Sequence, residues 1–507
     1  MKTPLYLGLD IGTQSVRAVL FDDKGARRGM GTAPLVTNYP QPSWAEQQPL
    51  EWWKGLGIAV PEAMKQADAN AEDVVAIGLD STACTVLAVD AVGMPIRPAL
   101  LWMDQRSHAQ AQLLMLTKDP SLRWVSDVVS PEWMLPKALW LKQNEPASYE
   151  TAHHIVECTD WLMYQLTGNW TLSLNHVAVK WNYVAPEGGW SRAMLEHVGL
   201  EDLPDKWPHT VVPYGAGDGK LPDNAALALG LKPGTPVAQG GIDAYAGMIG
   251  LGAIAPGKLA MIMGSSTCHL VNADQPLLGT GMLGCYADAI RPGLYTLEGG
   301  QTATGSIVNW YREHFAGNEE REAAKQGTTV YELLDAKAAK VSPGCEGLLC
   351  LDHWQGARTP LKDPLSRGTW WGLTLSHGPG HLLRSIYEGT AYGTKAILDD
   401  LASHGLPITQ LIAGGGGVKS RLWLQIHADV CDVPLSIPAE TEACALGSAI
   451  IAAVHAGRFT SLEDAALSMV RLDAVIEPNG QNAAVYGEGY ARYGKLYGAL
   501  RGVRSAV

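Results

Sequence analysis

Within Asp10-Ile11-Gly12-Thr13-Gln14-Ser15-Val16-Arg17 a carboxylate, a glycine, two hydroxyls and a fixed cation fall inside eight residues. Gly12 lets backbone N–H groups approach an anion, Thr13 and Ser15 add hydroxyl donors, Arg17 adds positive charge, and Asp10 offers oxygen to a hydrated cation. These are the parts of a phosphate and magnesium site, and they equally make a polar hairpin turn. A second small, hydroxylated turn stands at Gly264-Ser265-Ser266-Thr267, about 250 residues on. Between the two, Gly240-Gly241-Ile242-Asp243 lets the chain turn tightly and present a carboxylate. Asp243 is the leading candidate for a general base. The run Gly414-Gly415-Gly416-Gly417, followed by Ser420, suits an anion or nucleotide platform.

Other groups suit a hydroxylated substrate. Asp80-Ser81-Thr82-Ala83-Cys84 sits where open α/β sheets present ligand groups. Trp102-Met103-Asp104-Gln105-Arg106 suits a sugar pocket, and equally a helix N-cap at Asp104 with Trp102 in the core. Lys180 lies in an apolar, aromatic stretch, either in a pocket or snorkelling past Trp181. Glu298-Gly299-Gly300-Gln301-Thr302-Ala303 is a further glycine turn carrying polar side chains.

The elements that must position these groups follow from periodicity. Leu5 to Phe21 reads as strand, turn, strand, and Leu259 to Val271 repeats that layout. Two such hairpins predict an internally duplicated α/β fold, each half contributing one phosphate-facing turn. Val74 to Leu79, Thr235 to Gln239 and Leu411 to Gly417 read as strands. Helices are expected at 49–67, 136–145, 158–168, 380–401, 420–430 and 444–454, with helices between 313 and 340 and a helical tail after Thr460. Pro213 to Leu231 and Gly356 to Gly372 read as loops.

At 507 residues the chain has room for two domains. It holds 38 Lys plus Arg against 51 Asp plus Glu, a net charge of −13 without a basic block, which argues against nucleic acid. Its 8 scattered cysteines fit a reducing compartment. The absence of a signal-like start or a spanning apolar run predicts a cytoplasmic protein without a membrane partner.

The residues from Gly368 through Trp370, Gly372-Leu373, His381-Leu382 and Ser385-Ile386-Tyr387-Glu388 carry a resemblance to the FGGY family of carbohydrate kinases. Asp10 to Thr13, Trp102 to Arg106, Gly241 to Ala244 and Ala413 to Gly417 match as well. The resemblance implies two actin-like ATPase domains built on ribonuclease-H-like sheets, expected at residues 1–245 and 246–507, with a cleft for MgATP and a sugar or polyol. Gly264 to His269, Asp80 to Cys84 and Glu298 to Ala303 look like the ribulokinase branch, whereas xylulokinases carry a Met-His pair near Ala83-Cys84. Lys419-Ser420-Arg421 departs from the asparagine common on the adenine side.

Carried over, the resemblance implies sugar contacts from Ala83, Lys180, Asp243 and Glu298, with Asp243 as base, and Trp102, Asp104 and Arg106 on the substrate side. Asp10 and Asp243 are expected at Mg2+. Gly12, Thr13, Gln14, Ser15, Arg17, Gly264, Ser265, Ser266, Thr267, Gln301, Gly414 to Gly417 and Ser420 are expected at ATP. The expected reaction is ATP-dependent phosphorylation of a terminal hydroxyl of a ketopentose, foremost D- or L-ribulose, by a homodimer; the alternatives are a kinase of another sugar or polyol (ribitol, erythritol, xylulose or glycerol) and a non-catalytic actin-like nucleotide-binding protein.

Overall fold

The computed structural model describes residues 3–503 and shows two sheets built to one plan. In the first, β1 (Leu5–Ile11), β2 (Ser15–Phe21) and β3 (Arg27–Pro34) form an antiparallel meander. β4 (Val74–Ser81) and β5 (Gly241–Ile242) lie parallel beyond β1, giving the order β5-β4-β1-β2-β3. In the second, β6 (Lys258–Met263), β7 (Thr267–Ala273) and β9 (Tyr295–Gln301) repeat the meander, with β8 (Gly284–Ala287) outside it. β10 (Gln410–Gly414) and β11 (Leu435–Pro438) are its parallel strands, and β12 (Leu472–Ile476) closes the edge, in the order β8-β9-β7-β6-β10-β11-β12. β1 and β6 therefore occupy equivalent central places, and the turn after each opens at the same end of its sheet. This is the internal duplication expected from the paired hairpins.

Burial explains the strand composition. Every residue of β1 is buried, as a central strand covered on both faces requires. One cover is α1 (Pro49–Gln66), which runs through Pro61 and packs on β2 and β3. The other is a helix from far along the chain. In order after α1 come α2 (Leu174–Lys180), α3 (Asp243–Gly250), α4 (Gly305–Phe315), α5 (Pro379–Ser403), α6 (Arg421–Cys431) and α7 (Ala443–His455). α7 lies on β1 and β4 and against α3 at backbone contact. A Cβ on Gly8 would stand 2.0 Å from Ala445 O, on Gly78 1.9 Å from Ser448 O, and on Gly447 1.8 Å from Ala246 O. Glycine is required at such distances, because no side chain fits. α7 thus covers the face of β1 and β4 that carries Tyr6, Gly8, Ala76 and Gly78, and its Leu446, Ile450 and Ala453 belong to the core of the first half.

Four expectations are corrected. The stretch Gly356 to Gly372 is not all loop, since Thr369–Trp371 forms a short strand antiparallel to Leu349–Leu351. Thr235 to Gln239 makes no strand: Val237 forms an isolated bridge to Ile77, and the strand that pairs with β4 is Gly241–Ile242. The stretch Pro213 to Leu231 contains a helix, Asp223–Leu229, stopped by Gly230 at φ 68°. The tail is not purely helical, since β12 pairs antiparallel with β11 before the last long helix, Ala483–Leu500. Among the described residues no helix is long and apolar enough to cross a membrane.

Candidate active site

The antiparallel register sets Asp10 opposite Arg17, and the parallel register sets Asp10 beside Asp80. Arg17 Nη2 reaches Asp10 Oδ2 at 2.8 Å while its Nη1 donates to Glu442 Oε2 at 3.2 Å. Ser448 Oγ donates to Asp80 Oδ2 at 2.6 Å. Asp10 Oδ1 and Asp80 Oδ1 are buried and meet no hydrogen-bond donor among the described residues. Ligand atoms of Asp10, Asp80 and Cys444 lie within 4.8 Å of one another. Two buried carboxyls this close hold either a shared proton or a cation. Burial pushes both upward; Arg17 pulls Asp10 back, and the Asp10 charge raises Asp80 further.

Asp243 is the first residue of α3, delivered by β5 next to β4. Its approach is fixed by Asn175 Oδ1, which accepts from Ile242 N at 2.8 Å, and Ala244 N donates to Asp243 Oδ1 at 2.7 Å. Burial, then the Asp10 charge, push its carboxyl up to about 7. A carboxylate with that affinity for protons is suited to general-base work near neutral pH.

In the first turn, Gly12 N donates to Ser15 O at 3.0 Å, and Gln14 stands exposed at the tip. Thr13 is held twice: its carbonyl accepts from Gln47 Nε2 at 2.7 Å and its hydroxyl from Trp102 Nε1 at 2.9 Å. The second turn projects Gly264, Ser265 and Ser266 into solvent at the start of α4, with Thr304 N and Ser306 N both donating to Ser265 O at 3.0 Å. Thr267 faces inward, and its hydroxyl pairs with that of Thr304 at 2.9 Å. A Cβ at Gly305 would lie 2.3 Å from Gly264 O, so this turn and the N-terminus of α4 form one close-packed platform.

That platform is one wall of a cavity of about 780 Å3. Gly416, Gly417 and Ser420 also line it, together with Asn309, Asp335, Tyr387 and Trp423. Gly415 takes φ 86°, which glycine adopts without strain, and turns the chain out of β10. Gly414 stays buried in that strand. Ser420 Oγ caps α6 by accepting from Trp423 N at 3.1 Å. Tyr387 and Trp423 stack at 5.3 Å, and Tyr387 donates to Asp335 Oδ1 at 2.7 Å. The size and the mixture of aromatic, amide and backbone groups suit a nucleoside. Among the walls, Tyr387 had a sequence signal, lying in the Ser385–Glu388 stretch of the resemblance. Asn309, Asp335 and Trp423 had none, because they converge from separate helices.

Lys180, at the end of α2, reaches across to the second half of the chain. Its Nζ meets Glu298 Oε1 at 2.8 Å and lies 5.8 Å from the ring centroids of Trp133 and Tyr286. Burial pulls the ammonium down, and the Glu298 carboxylate overrides it, leaving Lys180 above its usual value. Tyr245 on α3 also donates to Glu298, at 3.4 Å. Lys180 is therefore an internal ion-pair partner, not a surface group snorkelling past Trp181. Ala83 is half-buried in the turn after β4.

Three expected contacts lie elsewhere. Asp104 and Arg106 have fully buried side chains, 0% exposed, paired at 2.8 Å. Asp104 also accepts from Ala45 N at 2.6 Å, while Arg106 bridges to Glu46 at 2.8 Å and stacks 3.7 Å over Trp44. They brace the loop below Trp102, and Asp104 is not an N-cap, since the helix that follows starts at His108. Gln301 points away from the platform: its Nε2 donates to Asp352 Oδ2 at 2.9 Å and Thr390 O at 2.8 Å, and it borders a separate cavity of about 520 Å3.

With this geometry in hand, likeness to known proteins is informative. The N-terminal domain of the FGGY family of carbohydrate kinases matches residues 5–250, and its C-terminal domain matches residues 259–456. The ribulokinase of Geobacillus thermodenitrificans is 34% identical, with 98% of this chain and 94% of that protein aligned. An FGGY carbohydrate kinase domain-containing protein of Homo sapiens is 30% identical over 97% of this chain and 96% of its own length. The crystal structure of xylulose kinase from Rhodospirillum rubrum superposes with a TM-score of 0.88 at 27% identity, covering 98% of this chain and 99% of that one.

Proposed function

The chain belongs to the FGGY family of carbohydrate kinases and is a sugar kinase using ATP, and we propose that its acceptor is a terminal hydroxyl of ribulose. What supports ribulose is the 34% identity to a ribulokinase across almost the whole of both chains. What supports the chemistry is one arrangement: Asp243 beside Asp10, its helix also carrying Tyr245 to the Lys180–Glu298 pair. In this reading residues 1–245 supply the sugar pocket, the first turn and the base, and residues 246–507 the second turn and the nucleoside cavity.

The protein's part in phosphoryl transfer is to position groups and to balance charge. Lys180 and Glu298 orient the sugar hydroxyls, and Asp243 accepts the proton of the attacking one. The turn at Gly12 to Ser15 and the turn at Gly264 to Ser266 hold the phosphate chain from two sides through backbone N–H and hydroxyl groups, while the nucleoside lies in the cavity at Gly416 and Gly417. Asp10 and Asp243 would hold the magnesium ion, and the buried, unpartnered Asp10 Oδ1 fits that use. The ion, when bound, supplies positive charge to the phosphate oxygens.

Release of ADP measured against D- and L-ribulose, xylulose, ribitol, erythritol and glycerol tests the acceptor. A ribulose enantiomer is expected to give the highest kcat/KM; a higher value for xylulose or a polyol removes ribulose while leaving a sugar kinase. The nucleoside cavity has its own test. A Cβ at Gly416 meets no atom within 4 Å and the residue has no left-handed φ, so Gly416→Leu is accommodated by the fold and adds bulk at a residue that lines the cavity. KM for ATP is expected to rise at least about tenfold with Tm unchanged. An unchanged KM places the nucleoside elsewhere.

A further inference from the structure

We propose that Glu157 and Lys137 form a buried clamp on Cys84 that shapes the sugar pocket, which makes both of them positioning residues for the acceptor. This rests on the reading of Ala83 and Lys180 as sugar-facing. Cys84 holds φ at 60°, a left-handed backbone that is disfavoured for a residue with a Cβ. It is gripped from both sides. Its N–H donates to Glu157 Oε2 at 2.7 Å, and its carbonyl accepts from Lys137 Nζ at 2.6 Å.

Each half of the clamp reaches a second part of the pocket. Lys137 Nζ also donates to Leu101 O at 2.6 Å and Leu100 O at 3.4 Å, so one ammonium ties the Ala83–Cys84 turn to the segment entering Trp102. The ammonium is sealed, and its three bonds all go to backbone carbonyls, which satisfies three donors without a carboxylate. Glu157 Oε1 accepts from Trp181 Nε1 at 2.6 Å, and Oε2 accepts from His176 Nδ1 at 2.7 Å. Trp181 follows Lys180, and His176 follows Asn175, which holds the approach to Asp243. A single carboxylate thus sets Ala83, Lys180 and, through α2, the base in one frame. Glu157 is itself fixed, opposite Val86 in a strand pair and with its N–H donating to Asp160 Oδ2 at 3.1 Å.

A carboxylate is needed here because three N–H groups point at it. Glutamine keeps the shape and offers one acceptor oxygen, so its NH2 must face a donor on one side. In Glu157→Gln the KM for the sugar that the native enzyme prefers is expected to rise at least about tenfold, with KM for ATP within about twofold. Hydrogen exchange at the Cys84 amide is expected to quicken at least about tenfold. Lys137→Met should move the same quantities in the same direction. Adding Cys84→Gly to Glu157→Gln should restore much of the sugar affinity, since glycine takes φ 60° without the clamp.

A sugar KM within about twofold of native together with unchanged Cys84 exchange overturns the clamp. So does a parallel rise in both KM values, or loss of soluble protein in both single variants that Cys84→Gly does not repair. If no sugar in the panel is turned over by the native enzyme, the acceptor reading fails, and the exchange measurement still decides the clamp.

Discussion

Asp243→Asn is expected to lower kcat by roughly 10² to 10⁴ while KM for ATP stays within about threefold. The amide is isosteric, so the bond from Ala244 N can be kept and α3 retains its start. What is lost is the ability to take a proton from the sugar hydroxyl as the new P–O bond forms. The pH profile separates this from a general disturbance. Burial and the Asp10 charge raise the folded-state Asp243 carboxyl to about 7, so the group is protonated below that value and ionised above it. The native kcat should fall about tenfold per pH unit on the acid side, with a midpoint no higher than about 7, because a cation at Asp10 favours the ionised form. In Asp243→Asn that limb should flatten. Turnover near the native level, or an unchanged acid limb, takes the role of base away from Asp243.

The second large effect concerns packing rather than chemistry. Gly447→Val places a branched side chain where even a Cβ would stand 1.8 Å from Ala246 O. The obstacle is helix backbone, so no side chain can swing aside, and α3 and α7 must separate. Overpacking of this kind costs about 1–3 kcal/mol, here at the upper end or beyond. Thermal unfolding should shift down by several degrees or the protein should be lost to aggregation, and residual enzyme should show reduced kcat because α3 carries Asp243. A Tm within about 1 °C of native would mean that the helices are not in backbone contact.

Local pattern carried the hairpins and the helix ends well, for physical reasons. Leu5 to Ile11 and Ser15 to Phe21 are apolar runs broken by Gly12-Thr13, and they become β1 and β2 with the turn between them. Ser420 before an apolar run and Gly168 after one mark a helix start and a helix stop, and both stand where such caps belong. What stayed hidden depended on partners distant in sequence. Asp104 and Arg106 have the composition of a sugar pocket, and Glu46 and Trp44 close over them. Gln301 sits in a glycine turn near the site, yet its amide is turned to Asp352 and Thr390. Leu472–Ile476 is a partly exposed edge strand, and among helix-forming neighbours its short run gave no signal before β11 offered it an edge. Glu157 and Lys137 were invisible because their importance lies in backbone groups they hold, which no side-chain motif records.

The position of α7 bears on how the protein is made. The strands of the first sheet leave the ribosome early, but the helix that covers β1 and β4 is not synthesised until residues 443–455. At roughly 5–20 residues per second the face of β1 and β4 that carries Tyr6, Gly8, Ala76 and Gly78 waits tens of seconds for its cover. The two halves therefore do not mature in the order of translation: the first half is completed by a late segment of the second. A premature stop just before Ala443 would be felt at the beginning of the chain, where the nascent first sheet would be left open to aggregation and to chaperones.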